Sequence, residues 1–132
     1  MTRYDLAYTV ATAMKKAGIG ASKDYKPFSD VPQNHWAYQA VAIATSNDRN
    51  MDAMSGYGDG TFRGDKEINR FGLALTLYAL LNRPQAPDAA SFADVPKEHW
   101  AHAAVEAMAA NEIIDGFADG TFRGDRPLTR YE

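Results

Sequence analysis

The amino-acid sequence predicts a mainly α-helical module built from stacked, pseudo-symmetric repeats. Residues 28–32 and 92–96 read FSDVP and FADVP, and each phrase is soon followed by the triplet HWA. A second phrase, DGTFRGD, occurs at residues 59–65 and again at residues 119–125. Between these phrases, apolar residues recur at the three- and four-residue spacing of an amphipathic helix. Short repeats of this kind bury their apolar faces by stacking on one another.

The first helix is predicted over residues 4–17. Thr2 and Asp5 have the spacing of a capping box, in which the threonine side chain accepts an amide proton and the acidic side chain reaches back to the cap. Gly18 is a natural stop for this helix. Apolar residues recur between these limits at helical spacing, at Leu6, Val10, Met14 and Ala17.

Each HWA phrase is predicted to open a further helix. In the first copy the apolar stripe includes Trp36 and the helix ends near Asn47, whereas in the second copy the helix covers about residues 100–111. A third helix of the chain, which closes the first copy, follows Asn69, whose side chain suits an N-cap. Its predicted buried side consists of Phe71, Leu75, Tyr78 and Leu81.

Glycine-rich segments at residues 56–60 and 116–120 are predicted to form tight turns, because glycine accepts positive φ angles without steric cost. Residues 63–65 and 123–125 spell RGD. In a repeated loop we interpret this triplet as a turn whose flanking charges pair locally, not as an adhesion signal. Residues 85–91 contain proline and alanines and are predicted to link the copies.

The helix-start phrase occurs three times, although the HWA phrase occurs twice. Arg3, Arg70 and Arg130 directly follow the cap residues Thr2, Asn69 and Thr129. We therefore expect either a piece excised from a longer protein or a chain whose unfinished end is completed by another helix. The predicted parts of this one domain are the terminal helix of a first repeat at residues 1–20, a complete repeat at 28–83 and a third repeat lacking its last helix at 92–132.

Composition disfavours several functional classes. The net charge of −3 does not supply the basic surface that is typical of nucleic-acid binding or of attachment to anionic lipid. The absence of cysteine excludes disulfides and thiolate zinc sites. The longest apolar run, around residues 73–81, is shorter than the ~20 residues that span a bilayer, so we expect no direct membrane insertion.

No constellation of catalytic or cofactor-binding residues is evident. His99 and His102 have an i, i+3 spacing without a carboxylate in register, so we assign no metal and favour capping or surface roles for the histidines. A calcium loop counted from Asp59 would place Arg63 and Arg70 at ligand positions, which argues against an EF-hand. The sequence therefore predicts a non-catalytic protein without a cofactor.

The arginine at each helix start has two interpretations. Amide protons point outward there and the helix dipole is positive, so Arg3, Arg70 and Arg130 have the placement to hold a carboxylate or another anionic group. Alternatively, each arginine ties its helix to the neighbouring loop through a carboxylate. The carboxylates available for such a tie are Asp59, Asp65, Asp119 and Asp125.

Trp36 and Trp100 stand at the starts of helices with apolar stripes. Large aromatic side chains at such positions usually contribute by burial. From spacing alone, we therefore predict that both tryptophans anchor the core.

In their order, these phrases resemble the repeat of the S-layer homology family, the bacterial cell-envelope anchoring module. The resemblance covers nearly the whole chain and implies a pseudo-threefold helical bundle whose grooves between repeats bind cell-wall polymer. Family members commonly have a proline after DGTF, whereas residues 63–65 here resemble the form in bacteria whose outer-membrane proteins are tethered to peptidoglycan. Gly72 also departs from the pattern, because the family has an acidic residue there.

The resemblance further implies a ligand site and a location. The arginines would bind by hydrogen bonds and charge, the Asp-Gly-Thr loops would shape the groove, and the tryptophans would form its apolar wall. The expected partner is peptidoglycan or a linked polysaccharide, at the cell surface or the periplasmic side of the outer membrane, with the module exported in a longer protein. A second hypothesis is a self-association module without its own glycan site. The implied ligand-binding residues are Arg3, Arg70, Arg130, Trp36, Trp100, Asp59, Gly60, Thr61, Asp119, Gly120 and Thr121.

Overall fold

A computed structural model of the chain describes residues 1–49, 53–86 and 91–128. It contains four α-helices, namely α1 (Arg3–Lys16), α2 (Tyr38–Thr45), α3 (Arg70–Leu80) and α4 (His102–Ala110). Within these residues, extended pairing is limited to isolated bridges, such as the one between Thr2 and Glu67. The prediction of a mainly α-helical fold is confirmed.

The described residues form two compact units with the same plan. Unit 1 covers residues 1–68 and unit 2 covers residues 69–128. In each unit a long helix packs against a short one, α1 against α2 and α3 against α4. A unit therefore combines the last helix of one predicted sequence repeat with the first part of the next, while the repeat boundaries themselves stay predictions.

Side-chain caps begin both long helices. The Thr2 hydroxyl accepts the amide proton of Asp5 at 3.2 Å, and the Asp5 carboxylate accepts that of Thr2 at 3.0 Å, so the predicted capping box is confirmed. The Asn69 side chain accepts the amide proton of Gly72 at 2.9 Å, as expected for an N-cap. These bonds satisfy amide groups that have no partner within the helix.

The two short helices begin later than predicted. α2 starts at Tyr38 and α4 at His102, so that Trp36 and Trp100 lie in the turns before them. Backbone hydrogen bonds in these turns span three residues instead of the four of an α-helix. This tighter winding delays the start of each helix.

The prediction that the two tryptophans anchor the core is wrong. Trp36 is 66% exposed and Trp100 is 68% exposed. The buried position in each turn belongs to the following residue, since Ala37 and Ala101 have no exposed surface. A methyl side chain lets the turn lie close against the core, and the indole one residue earlier is left at the surface.

Each unit packs around a phenylalanine from its glycine-rich loop, Phe62 in unit 1 and Phe122 in unit 2, and both are fully buried. Burial of one such ring contributes about 1.5–3 kcal/mol to stability. The buried cluster of unit 2 consists of Phe71, Ala74, Phe92, Val95, Ala101, Val105, Ala107, Met108, Ile114 and Phe122.

The buried face of α3 differs from the predicted one. Phe71 and Ala74 are buried, whereas Leu75 is 37% exposed and Leu81 is 49% exposed. The helix is rotated so that the small Ala74, which has no exposed surface, lies against the core. Leu75 follows at about 100° around the helix and is carried toward the surface.

In each unit a glycine packs directly against the aromatic ring that follows the helix-start arginine. A Cβ atom added to Gly64 would lie 2.1 Å from ring carbons of Tyr4, and one added to Gly124 would lie 2.2 Å from ring carbons of Phe71. No side chain fits at either position without displacing the ring. The glycine of the RGD triplet is therefore required by packing, and the positive φ angles belong to the preceding arginines, at 55° for Arg63 and 56° for Arg123.

We predict that Gly64→Ala lowers the free energy of unfolding by about 1–3 kcal/mol, because the new methyl group must displace the Tyr4 ring. Urea denaturation followed by circular dichroism measures this change. Gly58 is a matched control in the same loop, since a Cβ there meets nothing within 4 Å, and Gly58→Ala should change stability by less than about 0.5 kcal/mol. Equal effects of the two substitutions would contradict the prediction.

Candidate functional site

The helix-start arginines tie the long helices to the glycine-rich loops. In unit 1 the Arg3 guanidinium donates through Nε to the Phe62 carbonyl at 2.9 Å and through Nη2 to the Ser55 carbonyl at 2.5 Å. In unit 2 Arg70, only 8% exposed, donates through Nε to the Phe122 carbonyl at 2.9 Å and through Nη2 to the Asp115 carbonyl. Of the two interpretations, the structural tie therefore exists, but these acceptors are backbone carbonyls and not the predicted carboxylates.

The amides at the helix starts also donate to these loops. The Arg3 amide donates to the Lys66 carbonyl at 2.9 Å, and the Tyr4 amide donates to the Gly64 carbonyl at 2.9 Å. The first two amides of α3 make the equivalent bonds to the second loop, at 3.1 and 3.0 Å. The N-termini of α1 and α3 are thus already satisfied by protein, which removes the expected outward-pointing amides as anion ligands.

We predict that Arg70→Ala lowers the free energy of unfolding by about 2–4 kcal/mol, because two loop carbonyls lose charged donors. Arg83→Ala is the matched control, since it removes the same charge from an exposed side chain of the same unit and should cost less than about 0.5 kcal/mol. Denaturant titration of both variants measures the difference. A destabilisation of Arg70→Ala no larger than that of the control would show that the tie is energetically minor.

Each Asp-Gly-Thr loop is stabilised by hydrogen bonds among its own side chains and backbone. The Asp59 carboxylate accepts from the Thr61 amide at 3.1 Å, from the Thr61 hydroxyl at 2.6 Å and from the Arg63 guanidinium at 2.9 Å. Asp119, Thr121 and Arg123 repeat these contacts in unit 2. The local charge pairing that we expected around RGD thus exists, with an aspartate four residues earlier as partner. Gly60 and Gly120 complete the turns at φ angles of 84° and 83°.

A second carboxylate holds each loop from the phenylalanine phrase. Asp30 accepts the amide protons of Phe62 and Arg63 at 2.8 and 2.7 Å, and Asp94 accepts the equivalent pair in unit 2, both at 2.8 Å. Burial raises the pKa of the Asp30 carboxyl, but the backbone hydrogen bonds outweigh this effect, and the net pKa lies below the ordinary 3.8. The ionised carboxylate therefore stabilises the arginine backbone at its positive φ angle.

Acid should destabilise the loops over a defined range. Hydrogen bonds from Thr61 and Arg63 lower the pKa of Asp59 from 3.8 to about 2 in the folded state, and Asp119 behaves in the same way. A lowered folded-state pKa means that the stabilisation is fully present above 3.8 and is lost as the pH falls to about 2. Melting temperatures measured from about pH 5 to pH 2 should fall less steeply for Asp59→Asn with Asp119→Asn than for the parent. Parallel curves for the two proteins would contradict this assignment.

An aromatic ring in each loop lies beneath three cationic side chains. The Tyr57 ring centroid is 5.2 Å from the Arg3 guanidinium, 4.0 Å from that of Arg63 and 5.3 Å from the Lys66 ammonium. The Lys66 ammonium also donates to the Tyr57 hydroxyl at 3.1 Å, and this bond lowers the phenol pKa, with further lowering by Arg3 and Arg63. In unit 2, Phe117 has the same place beneath Arg70, Arg123 and Arg126.

The sequence prediction missed this ring, although its position recurs. Tyr57 follows Gly56 in GYGDGTF, and Phe117 follows Gly116 in GFADGTF. A recurring aromatic before a recurring cation is the signal that could have indicated it.

Trp36 lies at the end of a row of rings that starts in the core. Its ring centroid is 5.5 Å from that of Tyr4 and 5.7 Å from that of His35, and Tyr4 in turn lies 5.9 Å from Phe62. The His35 Nδ1 accepts the amide proton of Ala37 at 3.0 Å, which agrees with the expected capping role. The indole is thus mostly exposed, with ring contacts to Tyr4 and His35.

Unit 2 repeats this row with one change of residue. Phe71 replaces the tyrosine, and its ring lies 5.3 Å from Trp100, 5.0 Å from His99 and 5.8 Å from Phe122. The His99 Nδ1 accepts the amide proton of Ala101 at 3.1 Å.

The structure thus brings most of the predicted ligand residues into two equivalent sets. In unit 1, the guanidinium groups of Arg3 and Arg63 both lie over the Tyr57 ring, next to the Asp59–Thr61 loop. Trp36 contacts the ring of Tyr4, the residue that follows Arg3. Arg130 lies outside the described residues. Across the described part of the chain, no group of three His, Asp or Glu side chains is placed to hold a metal, and no described helix has the length and apolarity needed to cross a membrane.

The chain matches the family model of the S-layer homology domain at residues 27–71 and 91–132. Together the two segments account for more than half of the chain, and both include the phenylalanine phrase, the HWA triplet and the glycine-rich loop.

Several curated proteins resemble the chain. Outer membrane protein SlpA of Thermus thermophilus is 65% identical over 43 residues, which are 33% of this chain and 5% of SlpA. The cellulosome-anchoring protein of Acetivibrio thermocellus is 33% identical over 137 aligned residues, which cover 100% of this chain and 30% of that protein. Outer membrane protein SlpA of Deinococcus radiodurans is 44% identical over 63 residues, 47% of this chain and 5% of that protein. The chain spans less than a third of each of these relatives.

Proposed function

The chain belongs to the S-layer homology family, and on that premise we propose that it is a non-catalytic module that anchors a longer protein in the bacterial cell envelope. Its proposed ligand is peptidoglycan or a polysaccharide linked to peptidoglycan. Relatives that are named as outer membrane proteins and as a cellulosome-anchoring protein support an envelope location.

The exposure of Trp36 and Trp100 is the observation that carries this proposal. An indole that is about two-thirds exposed at the same place in both units has no packing role that explains its size. The neighbouring rings of Tyr4 and Phe71 restrict its orientation, so little conformational freedom is lost when a ligand binds. The apolar face of a sugar ring is a suitable partner for such a platform.

The other predicted ligand residues support binding in a different way. Because Arg3 and Arg70 already donate to loop carbonyls, we propose that they position the loops and add positive charge without grasping the ligand directly. Arg130, which has the same place in the helix-start phrase, is proposed to act likewise. The exposed polar atoms of the two Asp-Gly-Thr loops would then contact hydroxyl or amide groups of the polymer.

Self-association is the second candidate. Besides Trp100, the described residues of unit 2 expose three large aliphatic side chains, Leu75, Leu81 and Ile113. Exposed apolar residues of this kind also suit a protein interface. A module that uses them for a second copy would need no glycan site of its own.

Co-sedimentation with purified sacculi tests the proposal, with sacculi prepared before and after removal of attached polymers. Trp36→Ala and Trp100→Ala should each weaken binding about five- to tenfold, because each removes a stacking platform. Ile113→Ala is the matched control, since it removes an exposed apolar side chain outside the proposed site and should bind like the parent.

The preparation that retains binding identifies the polymer. Failure of the parent to sediment with any sacculus would refute the anchoring proposal. Sedimentation velocity on the same samples separates the second candidate, which requires a mass that rises with protein concentration.

A further inference from the structure

A groove follows the outer face of α1, starting at Trp36. Its first part is a cavity of about 360 Å³ that also involves Tyr8, Thr9, Asp5 and the N-terminal residue Met1. A second cavity of about 320 Å³ continues from Tyr8 toward the C-terminal end of the helix and is lined there by Lys15 and Lys16. Tyr8 lines both cavities, which together form the groove, and the helical rise from Tyr8 to Lys16 gives the second part a length of about 12 Å.

The side chains of the groove offer three kinds of contact. Tyr8 is 60% exposed and supplies a second aromatic surface beyond Trp36. The hydroxyls of Thr9 and Thr12 donate to backbone carbonyls at 3.0 and 2.8 Å, so their exposed oxygens are oriented to accept hydrogen bonds. The exposed Lys15 and Lys16, in the last turn of α1, add positive charge at the far end.

The equivalent surface of unit 2 lacks the tyrosine and the exposed hydroxyls, although it keeps one cation, since the exposed Arg83 aligns with Lys16. With Arg3 aligned to Arg70, Tyr8 corresponds to Leu75, and the two threonines correspond to Thr76 and Ala79. Thr76 and Ala79 are buried, and Leu75 is 37% exposed and has no ring. The aromatic and hydroxyl-lined groove is therefore specific to unit 1.

The composition of the groove favours a polysaccharide over a packed helix. Helix interfaces are formed by rows of aliphatic side chains, and charged residues are depleted from their centres. The exposed residues of α1 are instead one tyrosine, two threonines, one alanine and two lysines, and the carboxylate of Asp5 lies at the Trp36 end of the groove, away from the lysines. Aromatic faces combined with hydroxyl acceptors match sugar rings, and lysines match carboxylates, which peptidoglycan carries on its peptides and on those lactyl groups that bear no peptide.

We propose that α1 carries an extended subsite for a carboxylate-bearing glycan strand. One sugar ring stacks on Trp36, the strand continues over Tyr8 and the threonine hydroxyls, and a carboxylate further along pairs with Lys15 or Lys16. This inference rests on the proposed function, since it assumes that the ligand at Trp36 is wall polymer, and it adds the direction and length of the strand.

Calorimetric titration of the full chain with disaccharide and tetrasaccharide fragments of peptidoglycan tests the subsite. The parent should bind the tetrasaccharide about tenfold more tightly than the disaccharide, because only the longer fragment extends past Tyr8 toward Lys15 and Lys16. Tyr8→Leu, which introduces the residue of unit 2, should weaken tetrasaccharide binding about tenfold, because the strand loses its aromatic contact between Trp36 and the lysines. Leu75→Ala is the matched control and should retain the gain.

The lysines are tested with the same fragments. Lys15→Gln combined with Lys16→Gln should reduce the salt dependence of tetrasaccharide binding, and a chitin tetrasaccharide, which has no carboxylates, should show little salt dependence with the parent.

The outcomes separate the subsite from the anchoring function. Equal affinity of the parent for both peptidoglycan fragments, or an unchanged tetrasaccharide affinity of Tyr8→Leu, overturns the subsite while sacculus binding through Trp36 persists. Absence of binding to fragments and sacculi overturns both proposals. A parent that dimerises, with Tyr8→Leu monomeric and unaltered in glycan affinity, shows that a second copy covers the groove and also overturns the subsite.

Discussion

Each unit depends on the hydrogen bonds between the first turn of its long helix and its glycine-rich loop. The guanidinium of Arg3 or Arg70 donates to loop carbonyls, and the first helical amides donate to other carbonyls of the same loop. A helix start has amides without acceptors, and an irregular loop has carbonyls without donors, so each segment satisfies the other. Neither would be complete alone. This mutual requirement explains why a compact unit joins the end of one sequence repeat to the beginning of the next.

The loop can accept these bonds because a second interaction fixes its shape. Asp30 and Asp94 bind the amides of Phe62 and Phe122 and of the arginines that follow them, which holds those arginines at positive φ. The phenylalanine ring is thereby directed into the core, and the next residues lie against the ring of Tyr4 or Phe71. That same ring contacts the exposed tryptophan. A short series of packed rings therefore connects each loop to the exposed tryptophan of its unit.

Features that depend on neighbours in sequence could be predicted, and features that depend on tertiary packing could not. The capping box of Thr2 and the cap at Asn69 use side chains a few residues apart, so spacing alone identifies them. The exposure of Leu75 follows from the rotation of α3, which the buried Ala74 sets through contacts distant in sequence. The sequence offers carboxylates as partners for Arg3, because it shows which side chains are present but not which backbone carbonyls lie nearby. The actual acceptors are backbone carbonyls.

A comparison of the two units separates residues that maintain the fold from residues that are available to a ligand. The helix-start arginine, the DGTF phrase and the histidine before each tryptophan occur in both units and make internal contacts in both. Their recurrence is explained by folding, so recurrence by itself does not identify a ligand residue. The exposed tryptophans recur without an internal role that accounts for their size.

The units also differ at exposed positions, such as Tyr8 in unit 1 against Leu75 in unit 2, and folding does not require a particular residue there. Differences in ligand preference between units should therefore arise at those positions, while the arginine and loop contacts keep both units folded in the same way.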